Sequence, residues 1–323
     1  MNRMPDDVQL TQVTYPRPMP SEEPFLFHPP KRHWLRVWPR IRNLLNQAGM
    51  TGMVALTGGY TWARSPFAVA YPTIRMGLRG LPPSFEGFRI VQVTDLHTGR
   101  STPVSFLRET IRRVNDMPAD LVVVTGDLVS ARMKHVPAAC EVLGELKHPT
   151  IVTFGNHDYA HRKEPWQSWA MAEAIQANLE YRGLRVLRNE AMAIEHDDGR
   201  IWIVGMDDLW SGGFSPRRAF SGVTGAGPII ALSHNPDTAA AMAAFGAQWT
   251  LAGHTHGGQI RLPVLGSLTL PVVNKHLDKG LHRVDGCWLY VCSGIGFRLR
   301  VRFRCPPEVP TFILEHQASQ GAR

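Results

Sequence analysis

The sequence predicts an α/β fold in which two β-sheets pack face to face, helices cover their outer faces, and a basic and aromatic arm precedes the domain. From residue 88 onwards, apolar runs of strand length alternate with segments of helix length. Continuous apolar runs separated by helices are typical of buried, largely parallel strands joined by βαβ crossovers. The last third of the chain looks more purely β. With 323 residues, 44% of them hydrophobic, the chain is ample for one sizeable core.

The predicted elements follow one another in a regular order. The predicted strands are residues 88–94, 120–126, 150–155, 200–206, 228–233, 248–253, 266–273, 287–294 and 311–316. The predicted helices are residues 103–117, 166–181 and 237–245. The chain therefore divides into an arm (1–87), a main domain (88–316) and a short tail (317–323).

The arm begins as a proline-rich stretch and continues as a basic segment that contains tryptophan, from Lys31 to Leu45. Its basic residues would face away from Trp34 and Trp38, a pattern that suits an anionic membrane surface. A helix docked on its own domain is the equally weighted alternative. Residues 43–62 are about long enough to span a bilayer, but their Asn, Gln and Gly content favours peripheral attachment.

The expected location is therefore the cytoplasmic face of a membrane. If residues 43–62 did span the bilayer, the basic residues before them would keep the N-terminus inside and export the main domain.

Charge and cysteine content narrow the possible partners. The formal charge of +8 favours attraction to phosphates, nucleic acid or anionic lipid. No nucleic-acid-binding module is evident, so we expect no nucleic acid partner. The four cysteines form no C-x-x-C pair, which predicts free, mostly buried thiols rather than a disulfide framework. The sequence does not predict the oligomeric state.

Polar residues recur where the apolar runs end. They are Asp95, His97, Asp127, Asn156, His157, Asp158, His234, His254 and His256. Ligands gather at the carboxyl ends of strands in α/β sheets, so these positions are expected to converge. In extended chain, the alternate residues of the Asp95/His97 and His254/His256 pairs would point the same way. Any one cluster has a structural interpretation, such as a turn with an Asx hydrogen bond, but five in order favour a metal site.

Seven of these side chains offer the oxygen and nitrogen donors that suit Mn, Fe, Zn or Co rather than Ca. They are Asp95, His97, Asp127, Asn156, His234, His254 and His256. Seven ligands are too many for one ion and suit two ions bridged by a carboxylate.

The motifs DLH, GDL, GNHD, SH and GHTHGG resemble, in order and spacing, the five motifs of the calcineurin-like metallophosphoesterases, over roughly residues 88–315. The stretches FRIVQVTDLHTG, LSHNPD and AGHTHGGQIRLP further resemble the YkuE-like branch, whose members carry a short N-terminal membrane-associating segment. The resemblance implies a hydrolase of phosphoric esters or anhydrides that uses two divalent ions, with Mn expected first and Fe, Zn or Co as alternatives.

The resemblance also implies roles for individual residues. It assigns the first ion to Asp95, His97, Asp127 and His256, and the second ion to Asp127, Asn156, His234 and His254. A hydroxide held between the ions would attack phosphorus. His157 would protonate the leaving oxygen or stabilise charge in the transition state, with Asp158 fixing its orientation. Arg100 is the preferred candidate for a phosphate contact, whereas Arg298, Arg300 and Arg302 would share one strand face that contacts phosphate, a membrane or solvent.

Several substrates and functions remain open. A phosphorylated small molecule or a lipid-linked substrate is expected, and the arm would suit a membrane-resident one such as UDP-2,3-diacylglucosamine in lipid A synthesis. The alternatives are a broad phosphodiesterase or phosphomonoesterase on soluble substrates, a non-catalytic metal-binding scaffold, and a nuclease. The complete set of candidate ligands disfavours the scaffold, and the membrane-like pattern of the basic residues disfavours the nuclease.

Overall fold

The computed structural model describes residues 8–12, 67–159, 165–263, 266–267, 269–297 and 300–317. The basic segment and the candidate membrane span at 43–62 lie outside these residues. Among the helices that the structure describes, none combines the length and the apolar character needed to cross a bilayer.

The described residues form fifteen strands and five α-helices, with short 3-10 turns between them. The strands are β1 (Val8–Gln12), β2 (Thr73–Leu78), β3 (Arg89–Val93), β4 (Leu121–Thr125), β5 (Thr150–Thr153), β6 (Arg185–Val186), β7 (Glu190–His196), β8 (Gly199–Gly205), β9 (Ile229–Leu232), β10 (Trp249–Ala252), β11 (Arg261–Leu262), β12 (Gly266–Ser267), β13 (Gly280–Val284), β14 (Cys287–Val291) and β15 (Thr311–His316). The helices are α1 (Val104–Asn115), α2 (Val136–Gly144), α3 (Pro165–Tyr181), α4 (Pro216–Ser221) and α5 (Ala239–Ala244).

Two large sheets form the centre of the domain. One has six strands in the order β2-β15-β3-β4-β5-β6, and the other has seven in the order β1-β7-β8-β9-β10-β14-β13. Neighbours from β3 to β6 are parallel, as are β8, β9, β10 and β14. The predicted two-sheet α/β fold with largely parallel strands and outer helices is therefore confirmed.

The strands are apolar throughout because both faces of each sheet are covered. Along β4, Leu121 and Val123 pack in the cluster between the two sheets. Val122 and Val124 belong instead to the cluster that the six-stranded sheet shares with α1, α2 and α3. A third cluster joins α4 and α5 to the seven-stranded sheet. The order of layers is helix, sheet, sheet, helix.

The structure adds several elements that were not predicted, among them β1, β6, β11, β13, α2 and α4, and it departs from the sequence prediction in others. Strand β2 lies within the segment 1–87 assigned to the arm, yet it pairs with β15 and buries Met76 and Leu78. Its partner is distant in sequence, so no neighbouring pattern marks it as a core strand. Strand β7 (Glu190–His196) was not predicted, and of the predicted strand 266–273 the described residues retain only Gly266–Ser267.

Close contacts bring the carboxyl ends of the two sheets together. The side-chain amide of Gln92 on β3 donates to the Thr125 hydroxyl at 2.8 Å and to the carbonyl of Ala252 on β10 at 3.0 Å. At Gly253, a Cβ atom would lie 2.3 Å from the Thr94 hydroxyl. Only a glycine at this position permits so close an approach of the two sheets.

Candidate metal centre

Polar side chains follow five strands whose carboxyl ends meet at this point. They are Asp95 and His97 after β3, Asp127 after β4, Asn156 and His157 after β5, His234 after β9, and His254 and His256 after β10. All of them are buried except His157, which is half-buried. The predicted convergence of strand ends is present in the structure.

Three overlapping groups of these side chains place their ligand atoms within 4.8 Å of one another, close enough to hold an ion. Asp95, His97 and His256 form the Asp95 group. Asp127, His234 and His254 form the His234 group. His97, Asp127 and His157 form the His157 group, which overlaps the other two.

The Asp95 group is a compact cluster of one carboxylate and two imidazoles. The Nε2 atoms of His97 and His256 lie 2.9 Å apart, and the two rings stack. Oδ1 of Asp95 lies 3.3 Å from Nε2 of His256 and 3.8 Å from Nε2 of His97. Asp95 is itself held by the Thr94 hydroxyl and by the backbone N–H of His254.

In the His234 group, backbone carbonyls select which imidazole nitrogen faces the cluster. Nδ1 of His234 donates to the carbonyl of Thr125 at 2.7 Å, which leaves Nε2 at 3.2 Å from Oδ2 of Asp127. Nε2 of His254 donates to the carbonyl of Pro271 at 3.1 Å, so Nδ1 is its remaining ligand atom. Metal-binding histidines commonly have their other nitrogen fixed in this way.

The carboxylate of Asp127 lies between the two sides of the cluster. Oδ2 is 3.4 Å from Nε2 of His97 and 3.2 Å from Nε2 of His234. Oδ1 accepts a hydrogen bond of 2.8 Å from the backbone N–H of His157. At Gly155, a Cβ would lie 2.4 Å from Oδ1 of Asp127, so a glycine is needed there. Asp127 therefore faces imidazoles of both the Asp95 group and the His234 group.

Five of these residues have a left-handed backbone, whereas the sequence predicted extended chain at the Asp95/His97 and His254/His256 pairs. The φ angles are +54° at Asp95, +45° at His97, +56° at Asp127, +72° at His254 and +51° at His256. The expectation of extended chain at the Asp95/His97 and His254/His256 pairs is therefore wrong, although the side chains of Asp95 and His97 still meet in one group. Residues other than glycine rarely adopt this conformation, and such positions cluster at functional sites.

The three residues of the Asn-His-Asp turn after β5 lie in different environments. Asn156 is buried, and its Oδ1 has no hydrogen-bond partner among the described residues. The ring of His157 stands edge-on to that of His97, with 4.8 Å between the centroids. The buried carboxylate of Asp158 accepts hydrogen bonds from the backbone N–H groups of Asp127, Leu128, Val129 and Gly155.

Burial and neighbouring charges shift the pKa values in this cluster strongly. Burial raises the pKa of Asp95 to about 7. Burial alone would lower the pKa of His234, but neighbouring carboxylates, that of Asp127 first, raise it to about 10. Burial, followed by the charge on His234, lowers the pKa of His254 to about 3. These buried groups lie too close together for each to carry its ordinary charge. Protons are therefore bound more tightly by Asp95 and His234 and more weakly by His254.

The side chains that are present fit divalent ions. The buried Oδ1 of Asn156 has no partner of its own, and two fixed imidazole nitrogens face the carboxylate of Asp127. All donors are nitrogen or oxygen, while the four cysteines of the chain are free and buried and belong to none of the three groups. This donor set suits first-row transition ions such as Mn, Fe, Co or Zn.

The candidate arginines occupy different environments. Arg100 is exposed on the loop after β3. Arg302 is fully buried, and its Nη2 donates to the carbonyls of Ser293, Gly294 and Gly296. The interpretation of Arg302 as part of an arginine face open to phosphate or solvent is therefore wrong. The guanidinium of Arg302 instead holds the loop that contains Gly296. In this loop the backbone N–H of Gly296 donates to the carbonyl of Asp95 at 2.7 Å.

Two residues near the cluster were missed by the sequence analysis. Asp208 is buried, and it is one of the carboxylates that raise the pKa of His234. The ring of Trp210 stands edge-on to that of His254, with 4.7 Å between the centroids. The sequence did contain a signal for this region. Asp207 and Asp208 directly follow the apolar run 200–206, just as the candidate metal ligands follow five other apolar runs.

Comparison with known proteins agrees with this geometry. Residues 88–258 match the family model of the calcineurin-like phosphoesterases. The chain is 31% identical to the uncharacterized metallophosphoesterase YkuE of Bacillus subtilis, over 82% of this chain and 92% of that protein. It is 33% identical to the phosphodiesterase YaeI of Escherichia coli, over 69% and 80% of the two chains. It is 30% identical to the UDP-2,3-diacylglucosamine pyrophosphatase LpxG of Chlamydia trachomatis, over 71% and 85%.

Proposed function

Because the chain belongs to the calcineurin-like phosphoesterase family, we propose that it hydrolyses phosphoric esters or anhydrides with two divalent ions bound at the strand ends. The observation that carries this proposal is the position of Asp127. One of its oxygens lies 3.4 Å from His97 and 3.2 Å from His234. A single carboxylate that faces imidazoles on both sides suits a pair of ions better than a single ion.

The proposed ligands divide between the two sides of Asp127. The first ion takes Asp95, His97, Asp127 and His256, and the second takes Asp127, Asn156, His234 and His254. Paired divalent ions supply an activated water nucleophile and neutralise charge on the phosphoryl oxygens. Mn is the proposed metal, with Fe, Zn and Co as alternatives, because every donor is oxygen or nitrogen.

His157 is the proposed proton donor to the leaving oxygen. Its ring is less buried than the proposed ligands, so it remains accessible to a substrate. Its backbone N–H is tied to Oδ1 of Asp127 at 2.8 Å, which fixes its distance from the site of reaction. Asp158 holds the backbone of Gly155 and Asp127 at the ends of two neighbouring strands. Asp158 is therefore a positioning residue. Arg100, exposed on the loop that follows β3 and His97, is the proposed contact for a phosphate oxygen.

A lipid-linked phosphoric anhydride is the proposed substrate class. The relative LpxG is named for a pyrophosphatase activity on UDP-2,3-diacylglucosamine. A cleft of about 680 Å³ is lined by Phe67, Tyr71, Phe106, Arg113 and Arg300 among others. Aromatic walls with basic residues suit an apolar chain that carries an anionic head group.

The cleft adjoins the proposed metal site through one loop. Phe297 packs against both Phe67 and Phe106. The residue before it, Gly296, donates its backbone N–H to the carbonyl of Asp95 at 2.7 Å. The same loop therefore contacts both the aromatic wall of the cleft and the strand end that carries Asp95.

A phosphodiesterase acting on soluble substrates is the second candidate, because the relative YaeI is named as one. A parallel assay of purified, Mn-loaded protein separates the two. It compares UDP-2,3-diacylglucosamine, bis-p-nitrophenyl phosphate and p-nitrophenyl phosphate. Release of UMP from the first with little turnover of the monoester supports the lipid-linked anhydride. Efficient turnover of the diester alone supports the phosphodiesterase, and no turnover of any of the three contradicts the proposed hydrolase.

The basic segment at residues 31–45 is proposed to bind anionic membrane on the cytoplasmic side. The test uses the full chain with vesicles of phosphatidylglycerol and of phosphatidylcholine. We expect co-sedimentation with the anionic vesicles only, and its loss when Arg32, Arg36 and Arg40 are replaced by Gln. Equal sedimentation of the variant and the unchanged chain would contradict an electrostatic anchor.

A further inference from the structure

The loop after β8 places an exposed tryptophan beside the candidate metal centre. The side chain of Trp210 is 51% exposed, which is unusual for so large an aromatic residue. Its ring meets the ring of His254 edge-on, at a centroid distance of 4.7 Å and an angle of 83°. The exposed indole therefore borders the His234 group.

Buried polar contacts hold this loop in place. Oδ1 of Asp208 accepts a hydrogen bond of 2.8 Å from the backbone N–H of Trp210. Asn189 donates to the carbonyl of Gly213 at 2.6 Å and accepts from the backbone N–H groups of Asp207 and Ser215. The indole is therefore presented on a fixed support, so a ligand that stacks on it would lose little affinity to ordering of the loop.

The chemistry of the surroundings indicates what an exposed indole could bind. The cluster beside it consists of carboxylates and imidazoles, which suit phosphoryl groups bound through cations. The indole offers instead a flat apolar face, on which nucleobases and other planar rings stack with little dependence on their identity. A ligand that carries both a phosphoryl group and a planar ring would use both surfaces.

The position of His157 indicates which part of the substrate meets Trp210. The ring of His157 adjoins His97, on the side of the Asp95 group. Trp210 adjoins His254, on the side of the His234 group. A leaving oxygen protonated by His157 would therefore depart on the side away from the indole.

On the basis of the proposed function, we propose that Trp210 binds a planar ring, such as a nucleobase or an aryl group. This ring belongs to the part of the substrate that stays attached to phosphorus. This assigns a specificity-determining residue for phosphodiesters and anhydrides that contain a nucleotide.

The test uses two substrates with the same leaving group. Thymidine 5′-(p-nitrophenyl phosphate) and methyl p-nitrophenyl phosphate both release p-nitrophenol but differ in the retained group. For the full-length, Mn-loaded protein we expect a higher kcat/KM with the thymidine ester. In Trp210→Ala this preference should fall by about tenfold or more, the range found for loss of one base-stacking aromatic. Trp210→Phe should retain most of it.

Tyr181→Ala is the matched control, because Tyr181 is an 88% exposed aromatic residue at the end of α3. The preference of the Tyr181→Ala variant for the thymidine ester should equal that of the unchanged protein. A Trp210→Ala variant that keeps the preference overturns the proposal. An equal loss on both substrates also overturns it, because that result assigns Trp210 to the support of His254 alone.

A binding measurement separates this inference from the proposed function. Calorimetry compares thymidine 5′-monophosphate with methyl phosphate on the Mn-loaded protein. A preference for the nucleotide that Trp210→Ala removes supports the ring site even if neither ester is hydrolysed, in which case only the proposed function fails. Equal binding of the two ligands overturns the ring site while leaving any hydrolysis intact.

Discussion

The backbone N–H of Asp127 donates to Oδ2 of Asp158 at 2.8 Å, and the same oxygen accepts from Gly155 at 2.9 Å. One buried carboxylate therefore fixes the main chain at the ends of two neighbouring strands. Because Asp127 faces imidazoles on both sides of the cluster, a shift of its backbone would disturb both proposed ion sites together.

The first prediction concerns Asp158→Asn. The amide presents one oxygen instead of two, and its NH₂ group would face backbone N–H donors. Leaving a buried donor unpaired costs about 1–3 kcal/mol, so we expect a lower Tm. We also expect activity on bis-p-nitrophenyl phosphate to fall by about 10- to 100-fold, as for other groups that orient metal ligands. Asp116→Asn, at an exposed site, is the control. An unchanged Tm in Asp158→Asn would show that the four hydrogen bonds are dispensable.

The second prediction concerns Asp127→Asn. The substitution removes the charge shared by the two sides of the cluster, so both proposed ions should bind more weakly. We expect turnover to fall by at least about 100-fold and the metal content of the purified protein to fall with it. Activity assays and elemental analysis measure the two effects. Full activity in this variant would eliminate the proposed two-ion site.

The third prediction concerns His157→Ala. A missing proton donor matters most when the leaving oxygen is a poor leaving group. We expect a loss of about 100-fold or more on an alkyl phosphodiester and a smaller loss on a p-nitrophenyl ester, with unchanged metal content. His276→Ala, an exposed histidine, is the control. Equal losses on both substrates would argue for a role in binding rather than in proton transfer.

The fourth prediction concerns the pH dependence of metal uptake. In the metal-free protein the pKa of His234 is raised to about 10 and that of Asp95 to about 7. At neutral pH the imidazole of His234 therefore holds a proton, and the carboxyl of Asp95 is partly protonated. Ions bind neutral imidazole and ionised carboxylate, so uptake must release these protons.

We therefore expect the affinity for Mn to rise as the pH increases through about 7. Titration calorimetry in buffers of different ionisation enthalpy measures the number of protons released. An affinity independent of pH, or uptake without proton release, would contradict these protonation states.

The fifth prediction concerns removal of the ions. A chelator should abolish turnover, and added Mn should restore it. Ca should restore little, because the imidazole-rich donor set disfavours an ion that takes oxygen ligands. Hydrolysis that continues in an excess of chelator would contradict a metal-dependent reaction.

The sequence was a good guide to which residues meet but a poor one to their local geometry. Polar residues at the ends of apolar runs predicted the meeting of Asp95, Asp127 and His254, because parallel strands align their carboxyl ends. Their left-handed φ angles were not predictable, since non-glycine residues rarely adopt them and only the surrounding contacts stabilise them.

Contacts between residues distant in sequence explain the remaining differences. Strand β2 carries no local mark of a core strand, because its partner in the sheet is β15. Arg302 alternates with other arginines as an exposed strand residue would, yet three main-chain carbonyls satisfy its guanidinium inside the protein. Trp210 follows a strand end of the kind that marked the other sites, and only its contact with His254 distinguishes it.

The pairing of β15 has a consequence for how the protein is made. Thr311–His316, which is distant in sequence from both partners, lies between β2 and β3 in the six-stranded sheet. During synthesis, β2 and β3 lack their common neighbour until residues 311–316 have left the ribosome. Pairings of such long sequence separation form slowly and leave strand edges open to misassembly. A nascent chain stalled before residue 311 would therefore be a natural client for chaperones, however complete its metal ligands.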